Sequence, residues 1–416
     1  MNGAAVFFLQ AAIVVGLPYA LWRLFGKGRV LPLVVVQILV GIGLGPTGLG
    51  RFFPETWATL FGPQALSMLG GLQWLAVTLF CFLTGLHLRE TELGGQPRAA
   101  VAAGAGGIVL PFALGTAAGA WLVTDLPQLA GPNAGPTGFA LALGLCSAVT
   151  ALPVLAAILR EMGMASTGMG HLALRCAALT DGVVWLALAV VLVGHGEGAG
   201  PVRVAVLALG YLAACLLVAR PLLARWLSRD GWHAEPLLAV ALVTVLVSAF
   251  LSELVGLHHV MGGFVAGLLW PRQHASPIRK LLEPATVVVL LPFFFLAAGL
   301  RTTVGMADGE VLRVFAIAVA VAVVGKTVGV AVPARLAGLG WREAWTLGAL
   351  LQTKGLVEVV VLGILLDAGL IAGPAFSGLL WMALATTVLA RPLAALAMRG
   401  RGPALGVIAG RTAKGG

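Results

Sequence analysis

The feature that most constrains this chain is run length. Apolar stretches of about 20 residues follow one another almost from end to end, parted by short polar patches. A helix rises about 1.5 Å per residue, so a run of that length matches the roughly 30 Å hydrocarbon layer of a bilayer. In lipid every backbone polar group must be satisfied internally, which leaves helices or closed barrels. The runs lack the period-two alternation of a barrel strand. Composition agrees: 60% of 416 residues are apolar and 10% are charged, against roughly a quarter charged in soluble domains. The sequence therefore predicts an all-α polytopic membrane protein.

Thirteen spans are expected, at 4–25, 30–45, 63–86, 98–123, 137–160, 170–194, 202–224, 235–256, 258–271, 283–300, 311–335, 343–366 and 375–398. The ninth is short, and its boundary with the eighth lies around Gly256-Leu257-His258-His259. With the N-terminus outside, eighteen of the 26 Lys and Arg fall in inner loops and four (Arg51, Arg203, Arg301, Arg313) in outer ones. Arg175, Lys326, Lys354 and Arg391 fall within spans. This bias follows the positive-inside rule and places the C-terminus in the cytoplasm. It also accounts for the net charge of +10 without nucleic acid. The four cysteines sit singly inside apolar runs, as small buried residues rather than disulfide or metal ligands.

Motifs recur at a fixed offset. Phe82 to Leu86 (FLTGL) closes the third span and Leu296 to Leu300 (LAAGL) the tenth; Gly41 to Pro46 (GIGLGP) closes the second and Ala266 to Pro271 (AGLLWP) the ninth. Seven spans is an odd offset, so the second copy is inverted, with spans one to six and eight to thirteen as the repeats. Such transporters break helices at matching places. Ser147 to Pro153 (SAVTALP) in span five and Gln352 to Gly355 (QTKG) in span twelve combine hydroxyls with proline or glycine, again seven apart. Unwound carbonyls and the hydroxyls of Ser147, Thr150 and Thr353 can replace the water shell of a small cation.

A charge at the bilayer centre costs at least about 2.5–3.5 kcal/mol on insertion scales, so each requires a reason. Asp181 lies midway along span six after Thr180, and Lys326 midway along span eleven. A carboxylate that takes a proton or holds a cation is the minimum equipment for exchange; the alternative is a static Asp181–Lys326 bridge. Lys354 and Glu358, four apart, share a helix stripe and suggest a structural pair. Arg175, six residues before Asp181 and taken to lie on roughly the same side, is a possible partner for Glu358 across the helices. His87, His258 and His259, near membrane boundaries, suit interfacial structural roles.

Residues 34–47 (VVVQILVGIGLGPT), FLTGL at 82–86, Thr180-Asp181, GGFVAG at 262–267, Gly325-Lys326 and QTKGLVE at 352–358 together resemble the monovalent cation:proton antiporter-2 family, most closely its branch of plant cation/H⁺ exchangers. The resemblance implies thirteen helices in two inverted six-helix repeats with two crossed broken helices. It implies panel helices in 1–96 and 235–301, a transport core in 97–200 and 302–398, a linker helix in 201–234 and a short tail at 399–416. It also implies a homodimer in lipid, with Asp181 as the shared cation and proton site, Lys326 facing it, and no cofactor. Where many relatives carry an acidic or amide residue, this chain has Thr180, which points to one proton per cation; where many carry Glu after Leu86, it has His87. The chain ends roughly 18 residues after the last span, so no fused nucleotide-sensing domain is expected. Competing readings are a gated potassium efflux pathway, an organic anion transporter of the same design, and an intramembrane enzyme, for which no motif is present.

Overall fold

The computed structural model describes residues 3–25, 33–46, 48–90, 97–165, 167–195, 201–228, 231–302 and 309–398. The tail at 399–416 and the loop residues Lys27, Arg29 and Arg229 lie outside them. Among the described residues ten helical stretches are long and apolar enough to cross a membrane, and the only β-pairing is one bridge, Ala130 to Ile371.

The first half runs α1 (Gly3–Phe25), α2 (Leu33–Leu44), short α3 (Leu49–Phe52) and α4 (Pro54–Phe61), α5 (Pro63–Glu90), α6 (Pro97–Asp125), α7 (Gly135–Ala148), α8 (Leu152–Glu161) and α9 (Gly168–His195). Next come α10 (Pro201–Ala214) and α11 (Arg220–Leu227), then α12 (Ala234–Leu254), α13 (His259–Leu269), α14 (Arg272–Ala285) and α15 (Leu291–Leu300). The chain closes with α16 (Gly309–Leu336), α17 (Trp341–Leu350), α18 (Leu356–Asp367) and α19 (Gly373–Met398). Spans five and twelve are the half-helix pairs α7/α8 and α17/α18, and the short ninth is α13; with the ten long stretches they make thirteen.

Two continuous rods pass through π-helical turns, at Cys215–Ala219 between α10 and α11 and at Thr286–Leu290 between α14 and α15. Each precedes a proline, Pro221 or Pro292, whose missing N–H breaks the regular ladder; Arg220 and Leu291 bond five residues back, to Cys215 and Thr286. Span ten consequently begins at Arg272, not at 283. Arg272, Arg279 and Lys280, expected in a loop, lie on α14, an amphipathic helix that buries Ala275, Ile278 and Leu282.

The repeat motifs meet as backbone against backbone. A Cβ on Gly41 would lie 2.5 Å from the Leu296 carbonyl, and one on Gly299 2.5 Å from that of Ile38, joining α2 to α15. The equivalent contact joins α5 to α13: a Cβ on Gly85 would lie 2.4 Å from the Phe264 carbonyl, and one on Gly267 2.3 Å from that of Phe82. Spans two and three of one repeat thus exchange contacts with ten and nine of the other, as an inverted pair related by a two-fold axis requires. Spans four and eleven, each the other's mate, touch at Gly106 and Gly329.

Candidate functional site

Both half-helix pairs break at the sites marked by the sequence. Val149, Thr150 and Ala151 separate α7 from α8, and residues 351–355 separate α17 from α18. Gly355 adopts φ +150° and ψ −120°, open only to glycine. The two breaks are bonded to each other: Ala151 N–H donates to the Thr353 carbonyl at 2.8 Å, and the Thr150 hydroxyl to that of Leu351 at 3.4 Å.

At the crossing α7 ends with bare carbonyls and the negative pole of its dipole. Both core lysines answer them. Lys354 Nζ donates to Cys146 O at 2.5 Å, Ser147 O at 3.3 Å and Val149 O at 3.4 Å, and also to Glu358 Oε2 at 3.0 Å. Lys326 Nζ donates to Ala148 O. Both lysines and Glu358 are at most 1% exposed. Two further residues hold the broken stretch: Thr387 of α19, which the sequence did not single out, donates to Lys354 O at 2.6 Å, and Gln352 of the QTKG break reaches Val323 O and Thr327 Oγ1 through Nε2, both at 2.6 Å. The only signal of Thr387 was a polar residue inside an apolar run.

Asp181 is 2% exposed, and among the described residues neither carboxylate oxygen has a hydrogen-bond partner. It lies within electrostatic reach of Lys326 and of Cys81 on α5. Among the described residues no ion pair joins Asp181 to Lys326, so the static bridge is absent: the lysine's ammonium is turned to the α7 carbonyl. Glu358 likewise has Lys354, not Arg175, as its partner. Six helical residues turn about 600°, which places Arg175 some 120° away from Asp181, on a half-buried face. The hydroxyls of Ser147, Thr180 and Thr353 donate to the carbonyls of Leu143 (2.8 Å), Cys176 (2.8 Å) and Leu350 (2.7 Å). With their protons so used, these oxygens offer only lone pairs.

The histidines are structural in geometry. His258 caps α13, its Nδ1 accepting from Val260 N–H at 3.5 Å. His259 pairs with Glu253 at 3.3 Å, and His87 Nδ1 lies 2.9 Å from Leu83 O. All four cysteines are free and buried, and no cluster of metal ligands occurs among the described residues.

Residues 11–395 match the family model described as sodium/hydrogen exchanger, transmembrane. Cation/H(+) antiporter 18 of Arabidopsis thaliana is 33% identical over 397 residues, covering 92% of this chain and 48% of that protein, so the chain spans about half the length of the plant relative. The Na(+)/H(+) antiporter NhaS4 of Synechocystis is 30% identical, over 94% of this chain and 97% of its own. The sodium proton antiporter MjNhaP1 of Methanocaldococcus jannaschii, solved at pH 8, shares the fold: TM-score 0.67, covering 95% of this chain and 99% of its own at 14% identity.

Proposed function

Since the chain belongs to the transmembrane sodium/hydrogen exchanger family, we propose that it exchanges a monovalent cation, Na⁺ or K⁺, for a proton by alternating access, with Asp181 as the shared site. The observation that carries this is the contrast among the buried charges. Lys326, Lys354 and Glu358 all have protein partners, and among the described residues Asp181 has no hydrogen-bond partner on either oxygen. An ionised carboxylate withdrawn from water without a partner is costly, so Asp181 requires a cation or a proton whenever it is closed off. With all four groups ionised their charges cancel; binding either H⁺ or a monovalent cation adds one positive charge. The two loaded states therefore match electrically, and exchange is one for one and electroneutral. Thr180 and the hydroxyls at Ser147, Thr150 and Thr353 complete the cation's oxygen shell.

The core comprises 97–200 and 302–398 and moves against a panel of 1–96 and 235–301, with 201–234 as linker. Supporting this division, the glycine contacts fasten α2 to α15 and α5 to α13, whereas the broken helices pack with α6, α16 and α19. The N-terminus is outside, on the loop-charge bias, and the protein is a homodimer. The test is reconstitution of Asp181→Asn in proteoliposomes with Na⁺ or K⁺ gradients. Loss of coupled exchange in a folded protein is expected, and wild-type exchange would overturn the assignment.

A further inference from the structure

A cleft opens at the face where α12, α15 and α18 end. At its mouth Arg301 and Asp367 pair at 2.7 Å, beside the His258 and His259 rings. Its deep wall is formed by Val260 of α13 and Val359 and Val360 of α18, all at most 1% exposed. One turn below Val260 on α13 lies Phe264, stacked on Trp185 of α9 with ring centroids 5.8 Å apart and planes at 30°. Trp185 in turn lies one turn, about 6 Å, from Asp181 on the same side of α9. The order from the surface is therefore cleft, Val260, aromatic pair, carboxylate.

The pair belongs to two different helix groups, one ring on α9 and the other on α13. Trp185 is fully buried, and its indole Nε1, like those of Trp57, Trp270 and Trp381, has no hydrogen-bond partner among the described residues, so no hydrogen bond ties this ring in place. We propose that Trp185 and Phe264 form the gate between the cleft and Asp181, parting to admit ions and re-stacking to seal the site. This rests on Asp181 being the transport carboxylate. Flat stacked rings suit the task, since they exclude water while closed and slide apart without breaking an ion pair; apolar constrictions of this kind gate by dewetting.

Cys81 supplies a native reporter: it is fully buried and within electrostatic reach of Asp181. A membrane-impermeant methanethiosulfonate applied from the cleft face, with Cys81 modification followed by mass spectrometry, measures access past the rings. Removing the aromatic contact by Phe264→Ala, or by the milder Phe264→Leu should folding suffer, is expected to raise the labelling rate roughly two- to twelvefold. Trp185→Phe, which keeps a stack, should label at nearly the wild-type rate. Unchanged labelling in both Phe264 variants overturns the gate. If labelling rises as expected but Asp181→Asn still exchanges ions, the gate stands and the site assignment falls; unchanged labelling with an inactive Asp181→Asn has the opposite meaning.

Discussion

Lys354 and Glu358 are a buried ion pair whose two members are not equally supported, and that asymmetry has a measurable consequence. Lys354 has four acceptors: three carbonyls at the end of α7 and one Glu358 oxygen. Glu358 has one charged donor and the Cys146 thiol beside it, and among the described residues its Oε1 has no geometric hydrogen-bond partner. Lys354→Met removes the ammonium with little change in volume. It strands a fully buried carboxylate, which costs about 3–5 kcal/mol when a buried pair loses one partner. It also strips the 2.5 Å bond from Cys146 O, worth a further 1–3 kcal/mol as a rough figure for an unsatisfied buried acceptor. Glu358→Gln leaves the lysine on its three carbonyls and keeps an amide oxygen for it to donate to, so about 1–2 kcal/mol is expected. The double variant removes the stranded charge and should be more stable than Lys354→Met by about 2 kcal/mol, a strong departure from additivity. Thermal unfolding of the four proteins in lipid nanodiscs gives the ranking. Equal losses in the two single variants, with an additive double, would refute the claim that one ammonium serves both the glutamate and the broken helix.

Three further outcomes are expected. Lys326→Ala should lose stability and exchange together, since it uncaps Ala148 O and removes the nearest compensation for Asp181, whereas Lys326→Arg should retain some transport; a thermal midpoint and pH profile both unchanged in Lys326→Ala would separate the two residues. With the exchanged cation and protons equal on both sides, a potential set by an ionophore for an ion that the protein does not exchange should drive no sustained cation-dependent proton movement, although about 2.3 kcal/mol per 100 mV is available to any net charge carried; such movement would reveal a second carrier, Glu358 first. Gly267→Ala sets a Cβ against the Phe82 carbonyl and the Gly85 Cα and should cost about 1–3 kcal/mol of thermal stability, whereas Gly70→Ala, which meets open space, should be neutral or better.

The spans and both helix breaks were legible because run length and proline, glycine and hydroxyl content act locally. The 354–358 pair was legible for the same reason, as one helical turn. Span ten was misread at its start because Arg272, Arg279, Lys280, Pro277 and Pro284 suggest a loop, yet Ala275, Ile278 and Leu282 already carry the helical spacing. The supposed Arg175–Glu358 contact failed on helical phase. The lysines' actual partners could not be read, because they are backbone carbonyls of another span and carry no side-chain signature. The Trp185–Phe264 stack was hidden similarly: two aromatic residues about 80 positions apart give no sign of meeting.

The glycine contacts also determine where the molecule can yield. Where a carbonyl rests on a glycine Cα, no rotamer lies between the helices to take up strain, so such a joint has almost no compliance and passes on displacement undiminished. Between α9 and α13, and between α15 and α18, the contacts instead run through a ring pair and an Arg–Asp pair, whose χ angles can turn. Mechanically, the first kind of joint is a weld and the second a clasp. Stress applied by a bound ion at the crossing will be relieved at the clasps, while the welded helices keep their shape.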